Sequence, residues 1–249
     1  MYRMMCVVAA LLVVTAVQPA TADDISVCEH AAGDDAIAAC TRMVALNPKN
    51  PNVYVIRGAA YSQRGDYDRA ISDYDQAIRL DPKNADAYFL RGAAYLYKGD
   101  DDHAISAYDQ AIRLDPKNAT AYFLRGVVYS HRGDYDRAIS DCAQAIRLNP
   151  EHANTYVLRG AAYFRKGDYG HAIDDANEAI RLDPKNADAY NTRGEAYEAK
   201  NDLDHAIADF DQALKLDPSL AKARQSRERV QGLLAKRPNP GAQTNSPAR

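Results

Sequence analysis

Residues 65–95 read "GDYDRAISDYDQAIRLDPKNADAYFLRGAAY", and their reading decides the fold. Asp66, Asp68, Asp73, Asp75, Asp81 and Asp86 crowd into this stretch, which raises the question of a metal or catalytic site. The stretch is not unique. Gly58, Gly92, Gly126, Gly160 and Gly194 stand 34 residues apart, as do Tyr61, Tyr95, Tyr129, Tyr163 and Tyr197. Ala70, Ala104, Ala138, Ala172 and Ala206 keep the same step, as does a proline column from Pro48 to Pro218. A fixed period of this length marks a repeat array, and an active site is not copied five times. The acids are therefore read as architecture.

Within the unit 51–84, Tyr54, Gly58 and Tyr61 fall at steps of four and three, one face of a helix. Gly65 punctuates, and Asp66 can cap the next helix by accepting from a free backbone N–H. Ile71, Tyr74, Ala77 and Ile78 form a second apolar face. Pro82 stops that helix because it lacks an N–H and clashes with the preceding turn. Asn84 caps the following helix, as Asn50 does with Pro51 behind it. Each unit is thus two antiparallel helices of about a dozen residues. Helices that short are marginal alone, so each needs its neighbours.

These residues resemble the tetratricopeptide repeat. Tyr54, Arg57-Gly58, Tyr61, Ala70, Tyr74, Ala77 and Pro82 match its signature in order and spacing. The resemblance implies an all-α fold, a right-handed α-solenoid of antiparallel helix pairs. Five tandem copies occupy 51–84, 85–118, 119–152, 153–186 and 187–220. A degenerate half-repeat at 23–50 precedes them. Residues 221–235, "AKARQSRERVQGLLA", read as a polar capping helix, and 236–249 as a disordered tail.

Three departures stand out. Arg57, Arg91, Arg125, Arg159 and Arg193 occupy a column that the family fills with an apolar residue. Each can pair with an acid on the second helix, Asp73 for Arg57, or stay solvated. Cys142 and Ala176 replace the large residue found at Tyr74, so repeats three and four are expected to pack less fully there. The half-repeat carries "CEHAAGDDAIAAC", with Gly33 and Asp34 turning the chain between Cys28 and Cys40. A disulfide between them is expected; two small buried thiols are the alternative.

The resemblance places a binding groove along the first helices. Carried over position by position, it implicates Phe89, Leu96, Tyr97, Phe123, Val127, His131, Val157, Phe164 and Arg165. Phe89, Phe123 and Phe164 are not demanded by the repeat signature. They are either exposed as a binding surface or packed between neighbouring first helices. The Lys and Asn with which some relatives clamp a terminal carboxylate are replaced by Val55 and Ala59, so an apolar or mixed segment is the expected ligand.

The 249 residues hold 31 basic and 34 acidic side chains. The net charge of -3 gives no strong field for nucleic acid or an anionic membrane. Residues 1–22 carry Arg3, an apolar run from Met4 to Val17 and small residues at Ala20 and Ala22. That pattern reads as a secretory signal peptide, implying an exported, periplasmic or secreted protein without a membrane span in its mature form. None of His30, His103, His131, His152, His171 and His205 pairs with another ligand at metal spacing. No nucleophile elbow or phosphate loop occurs, so neither enzyme nor cofactor is expected. Two roles remain: a scaffold holding a protein or peptide in its groove, and an assembly part of an envelope complex using its outer face or ends.

Overall fold

The computed structural model describes residues 22–30 and 33–237. The expected signal peptide up to Thr21 and the expected tail from Pro238 lie outside them. The described residues form thirteen helices and no strand. They fall into two compact units, Met1–Pro82 and Lys83–Arg249. The fold class is an all-α solenoid of helix pairs.

The first unit holds α1 (Ala22–His30), α2 (Gly33–Leu46), α3 (Pro51–Gln63) and α4 (Tyr67–Leu80). Cys28 and Cys40 join α1 to α2 through a disulfide with a Cα–Cα distance of 4.9 Å. Arg42 adds a hydrogen-bonded ion pair to Asp24, its Nε lying 3.0 Å from the carboxylate. Ala39 and Val53 pack with the two cysteines into one apolar cluster.

The second unit holds four helix pairs and a cap: α5 (Ala85–Lys98) with α6 (Asp101–Leu114), α7 (Ala119–His131) with α8 (Tyr135–Leu148), α9 (Ala153–Arg165) with α10 (Tyr169–Leu182), α11 (Ala187–Ala199) with α12 (Leu203–Leu216), and α13 (Ala221–Ala235). The caps explain why the helices begin where they do. Asn84, Asn118 and Asn186 accept from the backbone N–H groups of Ala87, Ala121 and Ala189 at 2.9–3.0 Å. Asp100, Asp134, Asp168 and Asp202 do the same for the second helices. Gly99, Gly133 and Gly167 end first helices with φ of 82°, 75° and 82°, the left-handed region that glycine enters without a Cβ penalty. In the last pair Asn201 takes that role at φ 61°.

The core is a column of small and large partners. Ala104, Ala138, Ala172 and Ala206 are fully buried where two helices cross. In the second repeat Gly92 backs onto the ring of Tyr108, and a Cβ there would sit 2.8 Å from Tyr108 Cε1. Gly58 against Tyr74 and Gly194 against Phe210 repeat this fit at 2.7 and 2.8 Å. Where Cys142 replaces the ring, the nearest atoms to such a Cβ at Gly126 are 3.5 Å away. At Gly160, opposite Ala176, they are the Ala172 oxygen and Asp175 Cβ, both at 3.3 Å.

The arginine column makes the carboxylate pairs that the sequence leaves open. Arg125 forks onto Asp141 through Nε at 2.8 Å and Nη2 at 2.7 Å. Arg159 on Asp175, Arg193 on Asp209 and, in the first unit, Arg57 on Asp73 repeat those two distances. Each pair joins the first helix of a repeat to its second, sixteen residues on. Ala107 stands at the aspartate position of the second repeat, and Arg91 there lies 5.2 Å over the Tyr88 ring. The remaining Nη1 of Arg125 reaches back to Asp109 of the preceding repeat at 2.5 Å, and that of Arg193 to Asn177 at 2.7 Å. Burial works against the charge of Arg125, but Asp141 and Asp109 outweigh it and hold the guanidinium protonated.

Candidate functional site: a cleft lined by first helices

On a helix, positions spaced by four, seven and eight share one side. In the second unit this side of α7, α9 and α11, with the start of α8, meets α13 around an open cleft of about 580 Å³. Its walls are Ser130, His131 and Tyr135; Ala161, Phe164 and Arg165; Glu195; and Lys222, Gln225, Ser226 and Arg229. Three of the nine residues expected in a groove therefore come together here: His131, Phe164 and Arg165. Phe164 is half-buried, its ring 5.7 Å from that of Tyr169. Arg165 is exposed, with its guanidinium 5.7 Å over the Tyr135 ring.

The other six lie elsewhere in the unit. Phe89 is half-buried on Tyr108, with ring centres 6.1 Å apart, and it shares a cluster with Leu96. Phe123 lines a separate cavity of about 130 Å³ with Leu124, Asn149 and Thr155, and meets His152 edge-on at 5.0 Å. Val157 packs against Tyr156, Ala179 and Ala189. Val127 is half-buried, and Tyr97 stands 72% exposed. Phe89 and Phe123 thus sit against the ring of a second helix and that of a helix-capping residue, outside the cleft.

Four cleft residues come from α13, which the sequence suggests only as an end cap. Lys222, Gln225, Ser226 and Arg229 follow helical spacing, so the signal existed, but no position in the repeat signature marks it. Arg229 holds Glu198 through Nε at 2.5 Å and Nη2 at 2.7 Å, and reaches Ser226 Oγ at 3.0 Å. Burial raises the pKa of Glu195, while a hydrogen bond from Asn191 and the charges of Lys222 and Arg229 oppose that shift.

Among the described residues no group of three or more His, Cys, Asp or Glu side chains could hold a metal ion. No described helix is long and apolar enough to cross a membrane. The Cys142 thiol is fully buried, and burial pushes its pKa up to about 12, far from a reactive thiolate.

Capped helix pairs at a constant period, with small residues at the crossings, define a repeat solenoid. The chain belongs to the tetratricopeptide repeat family. Family profiles described as TPR repeat match residues 58–99 and 160–201, and others described as tetratricopeptide repeat match 39–72, 94–153 and 187–220. A crystal structure of MamA is 30% identical, with a TM-score of 0.61 over 66% of this chain and 96% of that one. MamA from Desulfovibrio magneticus RS-1 is 22% identical, with a TM-score of 0.64 over 68% and 96%. YrrB, a TPR protein with an unusual peptide-binding site, is 23% identical, with a TM-score of 0.66 over 76% and 98%. No curated protein sequence matches the chain.

Proposed function

We propose that the protein is a non-catalytic interaction scaffold that holds a peptide or protein segment along the first helices of its repeats. One observation carries this reading: the open cleft of about 580 Å³, where half-buried Phe164 lies among polar and charged side chains from five helices. An aromatic anchor ringed by polar groups is the arrangement on which binding energy concentrates. The signal-like segment and the paired cysteines further support an exported, periplasmic or secreted location.

A random-peptide display library selected on the immobilised protein tests the scaffold. The selected peptides should bind in solution, and Phe164→Ala should weaken them at least about tenfold, ~1.4 kcal/mol, with helicity unchanged by circular dichroism. Peptides that bind the Phe164→Ala variant equally well would move the site out of the cleft. Failure to select any peptide would favour an assembly role for the outer face. For export, N-terminal sequencing of the protein made in its native cell should begin at Asp23; Met1 on the mature protein would end that part of the proposal.

A further inference from the structure

We infer that the cleft selects an acidic segment: one or more Asp or Glu side chains beside an aromatic or aliphatic residue. This rests on the scaffold reading above and names the chemistry of its partner. The arginines of the repeat column are already spent inside the fold, on Asp141, Asp175 and Asp209. Some surface cations of this unit are paired as well: Arg132 with Asp102, and Lys166 with Asp136. Two cations at the cleft are not. Among the described residues Arg165 has no carboxylate at ion-pair distance, and its guanidinium lies over the neutral Tyr135 ring. Lys222, also exposed, has no carboxylate at ion-pair distance either, and Glu195 interacts with it at longer range.

A chain with a net charge of -3 thus gathers Arg165, Lys222 and Arg229 around one opening. Only Arg229 is neutralised there by a direct pair, with Glu198. Potentials of this kind are met by complementary charge on the partner. The Arg165 fork can hold a carboxylate through two parallel N–H bonds, which a lysine cannot do. Phe164 and Ala161 supply the apolar wall against which the neighbouring side chain packs. Glu195 works against the same ligand: its carboxylate faces the opening, and its repulsion sets how much acid the cleft tolerates.

The composition of peptides from the display selection is the test. Enrichment of Asp or Glu next to Phe, Tyr or Leu is expected; selected peptides that are basic or uncharged would overturn the inference and leave the scaffold standing. If no peptide is selected at all, both readings fall. The best acidic peptide, labelled for fluorescence anisotropy, is then titrated against two variants. Arg165→Glu with Lys222→Glu should weaken it by roughly tenfold or more. Glu195→Gln should tighten it by about threefold. The second variant guards against simple misfolding, because a damaged cleft cannot gain affinity. Unchanged affinity in both would refute the inference, as would stronger capture of a single-stranded oligonucleotide than of any peptide.

Discussion

The contact between Gly92 and Tyr108 allows a sharp forecast. In Gly92→Ala the new methyl would start 2.8 Å from Cε1 and 2.9 Å from Cδ1 of the ring. Carbon atoms prefer about 3.5–4.0 Å, so ring or helix must retreat by several tenths of an ångström. The ring has nowhere to go: Tyr108 is fully buried against Ala104, Val128 and Phe89. Overpacking of that kind costs about 1–3 kcal/mol, and the gain in helix propensity returns about 1 kcal/mol. A net loss of up to about 2 kcal/mol is expected. Gly126→Ala offers the control, since its methyl would meet Cys142 Sγ and Asp141 Cβ at 3.5 Å, ordinary contact. There the propensity gain stands, and the variant should be about 0.5–1 kcal/mol more stable. Urea unfolding followed by circular dichroism measures both. Amide exchange in α5–α8 should accompany it, because a solenoid need not unfold in one step. A second arm swaps the ring for the residue of the third repeat: in a Tyr108→Cys background, Gly92→Ala should turn from costly to favourable. If it costs the same with and without the ring, the steric reasoning is wrong.

Three further outcomes are expected. Asp141→Ala leaves the half-buried Arg125 guanidinium with Asp109 alone and should cost about 2 kcal/mol in the same unfolding assay, between the values for exposed and fully buried pairs; Arg125→Ala with Asp141→Ala should cost less than the sum of the single changes. Reducing Cys28–Cys40, which closes a loop of 12 residues, should destabilise α1 and α2 by about 2–3 kcal/mol; exchange in residues 24–46 should accelerate with reductant, and mass spectrometry of unreduced protein should yield the linked peptide. His171 stacks on Tyr163 at 4.9 Å, and its hydrogen bond to Asp168 raises its pKa while lowering that of Asp168, with Asp174 and Asp175 adding to the raise. The histidine contribution is therefore complete below about pH 6.5 and lost as pH rises through the raised value. The aspartate contribution is present above about pH 3.9 and lost as pH falls through the lowered value. The melting temperature of His171→Gln should fall short of the parent near pH 5 and converge with it in the alkaline range.

The helix pairs were legible because their signals are local and copied: a cap, a small residue, a ring and a proline recur at one period. The arginine column was only half legible. That Arg57 and Asp73 meet depends on how two helices lie side by side, and a separation of sixteen residues has no meaning until that packing is known. Phe123 shows the opposite limit. Its register matches the groove positions of the family, yet His152 and Thr155, which stand where three other repeats carry Asn and Ala, close around it. The contribution of α13 to the cleft was hidden because that helix is outside the repeat. Its role as a wall comes from its position after α12, which no single side chain announces.

The arginine forks also bear on how such a chain can change length. Both partners of each fork lie inside one repeat, so the link travels with the copy. The second link reaches only one repeat back, from Arg125 to Asp109. Removal of residues 119–152 would set Arg159 beside Asp109, in the place that Arg125 now holds, where at present its own backward position is Ala143. A duplication or loss of one full period therefore leaves no arginine stranded. Gain and loss of whole repeats becomes a nearly neutral step, and the reach of the array can drift between relatives while its wiring stays intact.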